Sequence, residues 1–225
     1  MLQQINKKIF VYLFFLIFLG TINNLTLSNF EVPKIKNIEI TGLDQNEKKD
    51  IVKKLNFLKF ENLFFLEKSI LEQIILSNKY VEEIIINKNF PETLEVHILK
   101  TNILAITFKN GEKYLIGSNG NLIKYDGLDY NELPIVFGKF EVKEFLNFKE
   151  KIDSSKLKFS NVKKLYFFTS KRWDIKTIDD KLIKLPRVNV KNSLNQYSIL
   201  KNNNIFLKTT IFDFRQKNQI ITKDG

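Results

Sequence analysis

A single histidine, His97, lies in the stretch NKNFPETLEVHILKTNILAI (residues 87–106), with Glu92 and Glu95 a few positions away. An imidazole near carboxylates has the makings of a general acid–base pair, because both groups can exchange protons within reach of neutral pH. One imidazole cannot build a histidine-ligated metal site by itself. The chain has no cysteine, which removes zinc clusters, disulfides and thiol nucleophiles together. No H-E-x-x-H, G-x-S-x-G, phosphate-loop or dinucleotide glycine pattern occurs. Asn89 to Thr93 carry turn chemistry, with Pro91 fixing its φ and lacking an N–H. The residues that follow alternate as a strand, with Leu94, Val96 and Ile98 on one face and Thr93, Glu95 and His97 on the other. On that pattern Glu92, Glu95 and His97 are solvated side chains of a turn and a strand. No enzyme activity, cofactor or metal is expected.

The elements around this stretch say more than its chemistry. The 225 residues suffice for one large or two modest domains, and 44% hydrophobic residues, including 21 Phe, can bury a real core. Thirty-six Lys+Arg against 25 Asp+Glu leave a formal charge of +11. The lysines are scattered among Asn, Ile and Phe, with no basic–aromatic motif, so no nucleic-acid partner is expected. Near the N-terminus Lys7 and Lys8 precede the uncharged run IFVYLFFLIFLGTI, and the uncharged stretch extends to Phe30. Residues 9–28 are expected to form an uncleaved membrane anchor behind a short cytoplasmic tail (1–8), the two lysines holding that tail inside. The rival is a signal peptide, for which Thr26-Leu27-Ser28 would be a poor cleavage site.

Past Pro33, KIKNIEITG reads as a strand closed by Gly42. Asp44 and Glu47 form a capping box for a helix whose face carries Ile51, Leu55 and Leu58. A second helix in LEKSILEQIILSN bears a stripe of Ile70, Leu71, Ile74 and Ile75. The strand YVEEIIINK and the Leu94–Ile98 strand complete a β-α-α-β-β order over residues 34–101. Beyond it, residues 102–225 read as mostly antiparallel strands with flanking helices, one over EVKEFLNFKEKI (Val142, Phe145, Leu146, Lys149) and one with Leu194, Tyr197 and Leu200 at helical spacing. Trp173, Ile175 and Thr177 alternate with Arg172, Asp174 and Lys176, which turns the tryptophan inward.

This order, and particular residues in it, resemble the POTRA module of the FtsQ/DivIB family of bacterial cell-division proteins. The resemblance is carried by Ile38-Glu39-Ile40-Thr41-Gly42, Asn62-Leu63-Phe64, the Val81–Ile86 strand and Pro91-Glu92-Thr93-Leu94. It continues through TFKNGEKYLIGSNGNLI, Glu132–Gly138, Arg172-Trp173, Leu185-Pro186 and Asp213-Phe214-Arg215. There are departures: Tyr80 precedes Val81 where the family has proline, Lys100 and Ile103 replace its glutamate and proline, and Gly117 replaces its aspartate. The resemblance implies an α+β protein: one transmembrane helix in the inner membrane, a POTRA domain, and a β domain outside the cytoplasm at the division septum. It implies a scaffold tying early division proteins, met by the POTRA domain, to FtsB-like and FtsL-like partners and so to septal wall synthesis. The runner-up is a POTRA-bearing protein of export or outer-membrane assembly.

A sheet ending with the last strand of the chain can leave an edge free to accept another strand. The segment QKNQIITK (216–223) would be that edge, although its lysines could equally serve only to keep edges from aggregating. Arg215, Gln216, Gln219, Ile220 and Ile221 are therefore the candidate partner-binding residues. The resemblance gives Arg215 an acidic residue of the FtsB-like partner to pair with. Arg172, expected to be exposed beside the tryptophan, is the further candidate.

Overall fold

The structure, a computed structural model, describes residues 7–22, 32–125, 127–217 and 219–225. Helix α1 (Lys7–Ile22) has 16 residues, a rise of about 24 Å against a hydrocarbon core of about 30 Å. Among the described residues no helix is long and apolar enough to cross a membrane. Of the anchor expected over 9–28, residues 9–22 lie in this helix, and residues 23–28, including Thr26–Ser28, lie outside the described part of the chain.

The first globular unit is a three-stranded sheet in the order β1 (Asn37–Thr41), β3 (Thr93–Lys100), β2 (Val81–Asn89). β1 runs parallel and β2 antiparallel to the central β3. Helices α2 (Gln45–Lys54) and α3 (Lys68–Leu76) connect β1 to β2. At the start of α2 the Asp44 N–H donates to Glu47 Oε2 at 3.3 Å, satisfying a donor the helix leaves free. Ile51, Leu55 and Leu58 are fully buried as their spacing predicts, as are Leu94 and Val96, with Ile98 at 5% exposure. On α3 the buried residues are Leu71 and Ile75; Ile70, expected in the stripe, is 48% exposed because it points away from the sheet.

The second unit is a nine-stranded sheet ordered β12-β11-β10-β9-β8-β7-β4-β5-β6. Its strands are β4 (Ile103–Lys109), β5 (Glu112–Gly117), β6 (Leu122–Lys124), β7 (Ile135–Phe137), β8 (Val162–Phe167), β9 (Trp173–Thr177), β10 (Leu182–Lys184), β11 (Thr209–Asp213) and β12 (Ile221–Asp224). Most pairings are antiparallel, as expected, but β4–β7, β7–β8 and β10–β11 are parallel. Two of those parallel pairs are joined through helices: α4 (Val142–Asp153) between β7 and β8, and α5 (Val190–Lys201) between β10 and β11. A parallel neighbour needs such a crossover, which carries the chain over one face of the sheet.

That face is the core. Phe145, Phe148 and Ile152 of α4 and Val190, Leu194 and Tyr197 of α5 pack with Leu165, Trp173, Ile175, Ile183 and Phe212. Of the residues expected along this helix, Phe145 is fully buried and Val142 and Leu146 pack partly buried against the same core; Phe148 stacks on Trp173 at 4.7 Å with planes 8° apart, and Lys149 pairs with Asp153 at 2.6 Å. On the opposite face, the β4–β6 end is closed by a smaller cluster in which Tyr125, Tyr130 and Leu133 cover Ile106, Leu115 and Ile123. The turn between β5 and β6 fastens this unit to the first. Asn119 Nδ2 donates to the Lys79 and Val81 carbonyls at 3.0 and 2.8 Å, and Ser118 Oγ donates to Glu82 Oε2 at 2.7 Å.

Candidate functional site

The region around His97 resolves into structural pairings. Thr41 Oγ1 lies 2.7 Å from His97 Nδ1, joining neighbouring strands β1 and β3. Glu92 forms a 2.6 Å ion pair with Lys36, while its carbonyl accepts the Lys36 N–H at 2.9 Å. His97 Nε2 stands 3.7 Å from Glu95 Oε2.

The opposite end of the chain forms an edge. β12 is the outermost strand, antiparallel to β11 with Asp213 opposite Ile221 and Ile211 opposite Lys223. All four of its residues are exposed. Among the described residues no strand lies beyond it, so its outer row of backbone N–H and C=O groups is free to pair. A register shift between Thr209 and Ile211 breaks the ladder near its far end, where Thr209 Oγ1 donates to Asp224 Oδ1 at 2.8 Å.

Two grooves flank this edge, and Arg215 lines both. One runs between the start of α5 and the loop before β12; it brings Arg215, Gln216, Gln219 and Ile220 together with Val188 and Asn192. Ile221 begins the strand that continues from this loop. The other groove lies on the sheet face not covered by helices and unites Arg172 and Arg215 with Tyr166, Phe168, Asp174 and Lys184. The six residues proposed from sequence thus occupy one contiguous region: four in the first groove, Ile221 on the strand and Arg172 in the second.

The electrostatics of the region depend on two aspartates that the sequence reasoning passed over. Asp213 accepts from the Arg215 backbone N–H at 3.0 Å and from Arg215 Nε at 2.8 Å, and Nη2 reaches its other oxygen. Burial works to raise the Asp213 carboxyl, but the hydrogen bonds from Arg215 outweigh it and hold the group below its usual range. The same bond raises Arg215. Asp213 thereby fixes the guanidinium, which lines both grooves, while taking only part of its five N–H donors.

Asp174 is the second. Alternation assigns it to the wet face of β9, yet it is only 4% exposed. Burial dominates and raises its carboxyl, opposed by Arg172, the Leu185 N–H and Arg215. The Leu185 N–H donates to Asp174 Oδ1 at 3.3 Å and Arg172 Nε stands 3.5 Å from the same oxygen. Arg172 is not the freely exposed side chain expected: it is 24% exposed, with its guanidinium carbon 4.3 Å from the Phe168 ring centre. Stacking and the buried counter-ion pull it onto the sheet. Asp213 was legible, two residues before Arg215 within a quoted motif; the burial of Asp174 had no signal in its own strand, since the Leu185 N–H it accepts lies just past β10.

Comparison with known proteins agrees with this architecture. Residues 34–100 match the family model described as POTRA domain, FtsQ-type, and residues 105–215 match that of Cell division protein FtsQ/DivIB, C-terminal. A cell division protein DivIB of Clostridium botulinum (strain Loch Maree / Type A3) is 30% identical over 142 residues, 57% of this chain and 54% of that protein. A cell division protein FtsQ of Rickettsia bellii (strain RML369-C) is 24% identical over 191 residues, 83% of this chain and 70% of that protein. The chain thus spans about half the length of the Clostridium relative it matches. Among solved structures, the major extracytoplasmic domain of DivIB from Geobacillus stearothermophilus matches at 12% identity and a TM-score of 0.35, covering 45% of this chain and 92% of that one. With matches on both sides of the junction between its two sheets, the chain belongs to the FtsQ/DivIB family of cell-division proteins.

Proposed function

We propose that this chain is a non-enzymatic, single-pass scaffold of the division machinery that receives a strand of an FtsB-like partner along β12. Its N-terminus lies in the cytoplasm, residues 9–28 anchor it in the inner membrane, and both folded units work outside at the septum. The FtsB-like partner brings an FtsL-like one, which links the scaffold to septal peptidoglycan synthesis. The POTRA unit meets other division proteins. The observation that carries this reading is the free outer edge of β12 beside Arg215. A partner strand gains its affinity from main-chain hydrogen bonds to such an edge and its specificity from side chains flanking it. Arg215, already oriented by Asp213, supplies a charged flank for an acidic residue of the partner, and the groove at Gln219 and Ile220 supplies an apolar and amide-lined one.

Co-purification from the native organism tests it. The parent chain is expected to bring down the FtsB-like and FtsL-like proteins. Ile221→Pro, which removes a strand N–H, and Arg215→Glu, which sets a second carboxylate against Asp213, are expected to lose them while the chain keeps its level and fold. Undiminished capture by both folded variants would refute the docking site.

A further inference from the structure

The POTRA unit concentrates exposed aromatic rings at one end. Phe60 and Phe65 are 75% and 80% exposed, and Phe64 and Phe90 are 56% and 55%. The rings of Phe64 and Phe90 lie 4.5 Å apart, although one belongs to the turn after the Asn56–Phe60 segment and the other to the β2–β3 hairpin. The core of the unit does not use them, since Leu58, Leu63 and Leu94 fill it from the same segments at no exposure.

These two segments also grip the chain where it first joins the unit. The Ile35 N–H donates to the Glu61 carbonyl at 3.0 Å and the Lys36 N–H to the Glu92 carbonyl at 2.9 Å. Asn62 Nδ2 donates to the Pro33 carbonyl at 3.1 Å, and Lys34 bridges to Asn62. The segments carrying these phenylalanines therefore hold the point from which the chain leads back to α1, whose side chains from Ile9 to Leu19 are apolar and exposed. From Ile22 to Val32 the connection reaches at most about 35 Å, and if the anchor runs to residue 28 only about 14 Å remain. On the anchored reading, the end bearing the rings is the end nearest the bilayer.

We infer that this end of the POTRA unit rests on the outer surface of the lipid bilayer, with Phe60, Phe64, Phe65 and Phe90 at headgroup level and Lys34 and Lys59 beside anionic headgroups. Apolar side chains, Phe among them, bury at the boundary of headgroups and acyl chains when flanked by Lys, and an exposed apolar cluster calls for an occupant. The contact gives the unit a fixed attitude to the membrane. The inference rests on the anchored reading above.

The full chain, reconstituted in vesicles of phosphatidylethanolamine and phosphatidylglycerol with or without brominated acyl chains, provides the test. Three variants are compared: Leu16→Trp in α1, Phe65→Trp at the POTRA end and Phe108→Trp on β4, a site 49% exposed on the other unit. Trp173 is buried and contributes a constant background. Brominated lipid is expected to cause loss of emission from Leu16→Trp and Phe65→Trp and none from Phe108→Trp. Quenching at Leu16→Trp without quenching at Phe65→Trp overturns the inference while the anchor stands. No quenching at either overturns the anchored reading and the inference with it. Equal quenching at Phe108→Trp also overturns it, because contact would not be confined to this end.

Discussion

Replacing Phe148 by alanine removes the ring that seats α4 on the nine-stranded sheet. Phe148 is 2% exposed and stacks on Trp173 at 4.7 Å, with Phe145 and Ile152 filling the same seam. Losing a buried phenylalanine forfeits its transfer free energy and leaves a cavity, about 3–5 kcal/mol together. Lys149, the next residue, offers the contrast. Its ion pair with Asp153 and its position 4.9 Å from the Phe159 ring lie at the rim, so Lys149→Ala should cost no more than about 1 kcal/mol. Trp173 is the sole tryptophan, so its emission follows this unit alone as urea is added to the detergent-solubilised chain. For a slope of about 2 kcal/mol per molar urea, the Phe148→Ala midpoint should fall by roughly 1.5–2.5 M with the slope unchanged. A deficit for Lys149→Ala equal to that of Phe148→Ala, or a Phe148→Ala midpoint matching the parent, would show that α4 does not pack by this face.

Gly42→Ala should destabilise the POTRA unit by at least about 1–3 kcal/mol in backbone strain, because φ is +91° and a Cβ would come 1.8 Å from the Ile98 carbonyl oxygen. Thermal melting checks it against Gly20→Ala, whose Cβ meets nothing within 4 Å. The two aspartates beside the edge should give pH dependences of opposite sign. Asp213 is held low by Arg215 against the effect of burial, so its stabilisation is present above the ordinary carboxylate pKa of about 4 and is lost as pH falls through the depressed value. Because Arg215 is 39% exposed, solvent screening reduces the effect, and Asp213→Asn should cost about 1 kcal/mol at neutral pH and nothing in strong acid. Asp174 is raised by burial, so the parent loses stability as pH rises from the ordinary value through the raised one, and Asp174→Asn should not. Urea midpoints across acid to neutral pH measure both.

How much of this was legible depended on how local each cause is. The inward Leu94, Val96 and Ile98 followed from strict alternation, and Ile51, Leu55 and Leu58 from helical spacing behind a capping box. Their burial needs only one neighbouring layer. In α4 the expected Phe145 is joined in the core by Phe148 and Ile152, with Val142 and Leu146 at its margin, and the stacking of Phe148 on Trp173 depends on a residue of another element. Asp174 obeys alternation beside Arg172, but it is buried and accepts the Leu185 N–H, which its own strand does not announce. Two of the three parallel pairs arise from strand–helix–strand crossovers, and the third, β4–β7, closes around the β5–β6 excursion, pairings that alternation within single strands does not reveal. Arg215 was identified through its motif, while its tie to Asp213 emerges only from side-chain geometry.

Backbone hydrogen exchange tests strand addition most directly. The detergent-solubilised chain would be compared alone and saturated with the FtsB-like protein, following amides of β12 and of β6 at the other end of the same sheet. The account predicts that binding slows exchange at Ile221–Asp224 and leaves Leu122–Lys124 unchanged. A complex that forms with exchange at Ile221–Asp224 unaltered would contradict it.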